Sequence, residues 1–160
     1  MAYVRSHSWF IGFATFICLS LGCSDQSPSA APAAAVKPAA GIEVYGQVSH
    51  PSAGAPVGVI YMSIRNGSSV DDRLIRVETH AAKNAELHET TVSGDMVRMK
   101  HQTDGFVLPA GDRIEFASGG KHVMLSQLAQ PLVEGMSLDV TLVFEHAAPI
   151  LIAVPVRARM

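Results

Sequence analysis

His88, Met99, His122 and Met124 are the side chains with the most chemistry to offer. Ten residues separate His88 from Met99, 22 separate Met99 from His122, and one separates His122 from Met124. Two imidazoles and two thioethers make a soft set of nitrogen and sulfur donors. That set suits Cu(I); Mg²⁺ and Ca²⁺ demand oxygen. Thioethers are neutral and polarisable, and favour Cu(I) over Cu(II) or Zn²⁺. With no thiolate, the set brings no ligand charge. It should hold Cu(I) less tightly than a cysteine-rich receiver, which suits a carrier that must release its ion. Imidazole takes up a proton near pH ~6.5, so affinity is expected to fall in acid.

Strand geometry would have to gather these side chains. His122 and Met124 are separated by one residue, so a strand puts both on one face and Val123 on the other. Ala85–Val92 and Met96–Gln102 read as two arms of a hairpin. A Ser93-Gly94 loop would set His88 opposite Met99. A Gly94-Asp95 loop would set it opposite His101 instead. Register alone decides between them, and His101 shares a face with Met99 in both cases. His101 is therefore a reserve ligand. Gly119-Gly120 fits a tight turn that would deliver the next strand to an edge or rim.

The other candidates have plainer roles. Met62, within VIYMSI, belongs in the core. Met96 and Met136 flank turns. His50, His80 and His146 sit near strand ends without a partner at useful spacing. Glu86, Glu89 and Glu115 read as solvated strand-edge charges. The domain has no G-x-S-x-G elbow, H-E-x-x-H, P-loop or glycine fingerprint, so it is not expected to be an enzyme. A blue-copper electron carrier needs a thiolate ligand. The only cysteines are Cys18 and Cys23, both ahead of the β-rich region. A net charge of -2 gives no basic footprint for nucleic acid. The bland alternative is an exported structural or adhesive β-sandwich whose His and Met are incidental.

The chain divides into three stretches. Residues 1–23 read as a signal peptide: Arg5 is its only charge, and Phe10 to Leu21 is an apolar run too short to span a bilayer comfortably. It ends Leu19-Ser20-Leu21-Gly22-Cys23, which resembles a lipoprotein cleavage box with Cys23 as the lipidated residue. Cleavage there would remove Cys18 and Arg5, leaving no disulfide and 11 basic against 14 acidic residues. Residues 24–41, rich in Ser, Ala and Pro, read as a flexible tether. Residues 42–160 carry short β-rich runs punctuated by Gly, Pro, Asn and Asp. Ile42–Val48, Val57–Ile64, Arg73–Glu78, Ala85–Val92, Met96–Gln102, Arg113–Ala117, His122–Leu125, Leu138–Glu145 and Ile150–Val156 read as strands. No amphipathic helix of useful length interrupts them. The expectation is a single all-β sandwich or barrel.

Several segments together resemble the bacterial periplasmic copper chaperone family called PCuAC. They are Tyr61 to Asn66, Asp72-Arg73-Leu74, Ala85 to Thr90, Met96 to Met99, Leu108 to Gly111 and Gly119 to Leu125. The resemblance spans roughly residues 57–156 and centres on the pattern His-x10-Met-x22-His-x-Met. Family members often carry a Trp near the first strand, and Ile42–His50 has none. The resemblance implies a cupredoxin-like Greek-key fold and a Cu(I) site of His88, Met99, His122 and Met124. It also implies delivery of copper to the CuA centre in subunit II of cytochrome c oxidase, alongside Sco-type thiol proteins. The setting it implies is the periplasm of a Gram-negative bacterium, with membrane contact only through the N-terminal lipid.

Overall fold

The computed structural model describes residues 41–51 and 56–158. The signal segment with Cys23 and nearly all of the tether lie outside the described residues. Ten strands follow in order: β1 (Ile42–Pro51), β2 (Val57–Asn66), β3 (Asp72–Thr79), β4 (Ala82–Ser93), β5 (Met96–His101), β6 (Phe106–Leu108), β7 (Arg113–Phe116), β8 (Lys121–Leu128), β9 (Ser137–Phe144) and β10 (Ile150–Pro155). The fold is all-β, as the alternation of β-branched runs and turn residues predicts, and it is cupredoxin-like.

Two sheets form. One has six strands in the order β1-β2-β7-β8-β4-β5, and the other four in the order β10-β9-β3-β6. Period-2 alternation points one set of side chains into the gap between them. From β2, Ile60, Met62 and Ile64 face inward; from β8, Val123 and Leu125; from β9, Leu138, Val140 and Leu142. Met62 is 3% exposed, as its apolar run predicts. The opposite parity of β2, β4 and β8 faces outward, and His88, His122 and Met124 belong to it.

Strand β6 is not legible in the sequence. Three residues are too few to show a period. The chain reaches it through Gly105, whose φ is 72° and where a Cβ would lie 2.0 Å from the Leu74 carbonyl oxygen. Only glycine allows that approach.

The Gly119-Gly120 turn also forms, with Gly119 at φ 78°, but its outcome differs from expectation. Strand β8 is not at an edge: β2 pairs with it on one side and β4 on the other. Strands β7 and β8 lie end to end along β2, whose Met62–Arg65 pairs with β7 and whose Val57–Ile60 pairs with β8. Residues 117–120 are thus a short excursion from what is nearly one continuous strand. The physical reason is that β2 is ten residues long and offers more ladder than β7 can fill.

Asn66 closes β2 and is buried. Its Nδ2 donates to the carbonyls of Val70 at 2.8 Å and Leu108 at 2.9 Å, and its Oδ1 accepts from Ser68. Asn66→Ala should destabilise the domain by about 2–3 kcal/mol, because buried acceptors lose their donors. Urea unfolding would show this as a lower midpoint at unchanged slope; an unchanged midpoint would contradict it.

Candidate metal centre

The site lies on the outer face of the six-stranded sheet, where β5, β4 and β8 run side by side. His88 on β4 stands directly opposite His122 on β8, and Glu86 stands opposite Met124. On its other side, His88 stands opposite His101 on β5, and Thr90 opposite Met99. The hairpin loop is therefore Gly94-Asp95, and Met99 is not the direct partner of His88. It sits two residue pairs nearer the hairpin tip, diagonal to His88. A diagonal neighbour remains within reach of a long side chain. Met124 flanks the histidine pair from the other end. All four candidate ligands thus share one face, and the two imidazoles are the pair brought directly together.

The ladder explains the spacing of the rings. The Gln102 N–H donates to the Leu87 carbonyl at 2.8 Å, and the Thr90 N–H to the Gly120 carbonyl at 3.0 Å. Hydrogen-bonded pairs alternate along an antiparallel ladder. The His88–His101 pair is accordingly non-bonded and close, with Cα atoms ~4.5 Å apart, while the His88–His122 pair is hydrogen-bonded and wider, at ~5.5 Å. The ring centroids follow: 5.2 Å between His88 and His101, nearly parallel at 12°, and 5.8 Å between His88 and His122, tilted by 33°. Two imidazoles sharing an ion at about 2 Å from each nitrogen have centroids about 5–6 Å apart. The His88–His122 gap has that width. The His88 and His101 rings are stacked with nearly parallel planes, so their in-plane lone pairs run side by side and do not converge.

Hydrogen bonds set which nitrogens are free. His122 Nδ1 lies 3.0 Å from the Gly120 carbonyl oxygen. A carbonyl only accepts, so Nδ1 carries the proton and Nε2 keeps its lone pair. His122 itself is 7% exposed. His88 Nε2 lies 3.3 Å from Glu86 Oε2. The carboxylate accepts, so His88 Nδ1 is left bare, and it is buried without a hydrogen-bond partner. An orphaned buried acceptor is costly unless something fills it. A metal ion between the rings would. Glu86, read from the sequence as a solvated charge, is the group that fixes the His88 tautomer. Pairing of a histidine with a carboxylate through its second nitrogen is the usual way such ligands are oriented.

Glu89 is a second correction. It is half-buried on the opposite face, taking Lys121 Nζ at 3.0 Å and Gln102 Nε2 at 3.0 Å. From β4 it reaches Lys121 on β8 and, on the other side, Gln102 just past the end of β5, behind the histidine row. Glu115, by contrast, is exposed, as expected, and accepts from Ser63 Oγ at 2.8 Å. His50 Nδ1 lies 3.0 Å from the Arg157 carbonyl oxygen and its ring stands beside Tyr61, outside the histidine row. Among the described residues, no three His, Cys, Asp or Glu side chains are arranged to hold a metal ion.

Residues 33–156 match the family described as "Putative lipoprotein LpqE-like". The chain belongs to the LpqE-like family. A "Putative lipoprotein Lxx21020" from Leifsonia xyli subsp. xyli is 31% identical over 136 residues, covering 85% of this chain and 81% of the relative. Among solved structures, a copper-bound PCuAC domain from PmoF2 is 26% identical, with TM-score 0.65, covering 78% of this chain and 98% of that one. The solution structure of Cu(I)-DR1885 from Deinococcus radiodurans is 27% identical, with TM-score 0.58, covering 78% of this chain and 81% of that one. The PCuAC resemblance read from the sequence is thus upheld, and this LpqE-like protein has a PCuAC-type fold.

Proposed function

We propose that this LpqE-like protein is an exported Cu(I) carrier, not an enzyme, whose ligands are His88, Met99, His122 and Met124. The observation that carries the reading is the in-register His88–His122 pair, each ring holding one bare nitrogen on a face shared with both methionines. Likeness to a copper-bound and to a Cu(I)-bound domain supports it. In this reading the ion seats between His88 Nδ1 and His122 Nε2, with the Met124 sulfur beside it. Met99, 53% exposed on the edge strand, folds over last. An exposed thioether that is last on is also first off, and an acceptor could enter on that side.

The same reading extends to setting and destination. Cys23 carries the lipid, the tether lets the domain reach outward, and the copper goes to the CuA site of cytochrome c oxidase subunit II, directly or through a Sco-type protein. The family's description as lipoprotein supports the anchor. The test is to titrate the reduced mature domain with Cu(I) against a coloured Cu(I) chelator, then mix the loaded form with an apo CuA domain. Retention against the chelator followed by transfer supports the proposal. Loss of all copper to a weak chelator would instead leave a structural or adhesive module.

Two predictions arise here. Met124→Ala should weaken Cu(I) binding more than Met99→Ala, because Met124 is half-buried on an interior strand and already ordered, while Met99 must be ordered on binding. Met99→Ala should chiefly speed release, read by stopped-flow transfer to the chelator. The reverse ranking would misplace the site. Glu86→Ala should weaken Cu(I) binding about tenfold or more by freeing the His88 tautomer. Glu86→Gln should do the same in part, since a neutral amide orients the ring more weakly. Equal affinities for all three proteins would remove Glu86 from the account.

A further inference from the structure

His101 is outside the four-residue ligand set, yet its ring lies closer to His88 than His122 does. It stands on β5, directly across a non-hydrogen-bonded pair from His88. The rings are stacked, with centroids 5.2 Å apart and planes 12° from parallel. On the other flank, the His122 ring is tilted and 5.8 Å away. The His88 imidazole is thus a plate between two others. A histidine ring turns freely about its last torsion unless something restrains it, and that torsion has broad wells. Glu86 holds one edge of the ring through Nε2. On the His122 side the ring centroids are 5.8 Å apart and tilted, so that flank does not stack against His88.

We propose that His101 is a positioning residue. Its flat face backs His88 and holds the bare Nδ1 edge toward His122. The stacked geometry makes His101 a wall and not a ligand, since its in-plane lone pairs run alongside those of His88 and do not meet them. The claim rests on the reading of His88 as a ligand. It also explains why an exposed polar residue on an edge strand can matter to a buried nitrogen. The plane of the ring does the positioning, and its nitrogens are not required.

His101→Ala and His101→Phe separate the two roles. The first removes the wall; the second keeps a flat ring and removes both nitrogens. His101 is exposed on an edge strand, so neither change should disturb folding, and melting curves would check this. Two measurements are needed on each protein. One is Cu(I) affinity by chelator competition. The other is the long-range proton–nitrogen spectrum of the apo protein, which reports the tautomer of His88 and the ring-current shift of its protons. His101→Ala should lower Cu(I) affinity about tenfold and shift His88 from one tautomer to a mixture. His101→Phe should restore the affinity and the single tautomer. Wild-type behaviour of His101→Ala in both measurements would overturn the proposal. So would a His101→Phe protein as impaired as His101→Ala, because the nitrogen would then be what counts. Failure of the wild-type domain to bind Cu(I) would end the proposed function, and the apo spectra would still decide whether His101 orders His88.

Discussion

His122→Asn is expected to leave the apo domain folded and to weaken Cu(I) binding at least about a hundredfold, a loss of ~2.7 kcal/mol. His122 uses Nδ1–H to reach the Gly120 carbonyl at 3.0 Å, which anchors the ring against the 117–120 excursion. An asparagine amide places a donor where Nδ1 stands, so that anchor survives. What it lacks is a counterpart of Nε2, the atom proposed to meet the ion. His122→Gln would reverse this: it places a polar group nearer Nε2 and forfeits the anchor. It should therefore lower the melting temperature more than His122→Asn does. Chelator competition and melting curves on the same samples test both statements. A His122→Asn protein with undiminished Cu(I) affinity would show that the ion sits elsewhere.

The second large effect concerns the fold itself. Asp72→Ala is expected to destabilise the domain by about 3 kcal/mol. Asp72 begins β3 and is buried. Its Oδ1 accepts from the Arg73 N–H at 2.7 Å and the His146 N–H at 3.0 Å, and its Oδ2 from the Ala147 N–H at 2.9 Å. One carboxylate thereby ties β3 to the turn between β9 and β10, and its removal strands three backbone donors. Burial alone would push the carboxyl up. The backbone N–H donors of Arg73, His146 and Ala147 outweigh it and hold the group below its usual range.

The sign of the pH dependence follows. A carboxyl that is more acidic folded than unfolded contributes stability above its unfolded pKa. That contribution is lost as pH falls through the folded value. Wild-type stability should therefore drop in the acid range below the ordinary carboxyl pKa, and Asp72→Asn should flatten that limb while already being less stable at neutral pH. Urea midpoints measured from neutral pH down into that range would show it. An acid limb identical in wild type and Asp72→Asn would move the effect to another carboxyl.

The amino-acid sequence was enough to identify the donors and their parity. Residues two apart in a strand must share a face, so His122 and Met124 could be paired before any fold was known, and Met62 could be placed inside. The same parity kept Met99 and His101 on one face under either hairpin loop, since the two registers differ by a shift of two residues. Most strands were legible for the same reason: apolar runs long enough to show a period, closed by turn residues.

Tertiary structure decided who stands opposite whom. The Gly94-Asp95 loop, with Gly94 at φ 60°, gave His88 to His101 and moved Met99 to a diagonal. Two-residue loops one position apart differ little in local energy, so the pairing had to be settled by the neighbouring ladder. β8 is that neighbour. It fell between β2 and β4, an adjacency between segments far apart in sequence that no local pattern encodes. The same adjacency set His122 across from His88 and drew Glu89 to Lys121 beneath the row. A period determines the face of a residue; only the assembled sheet determines its partner.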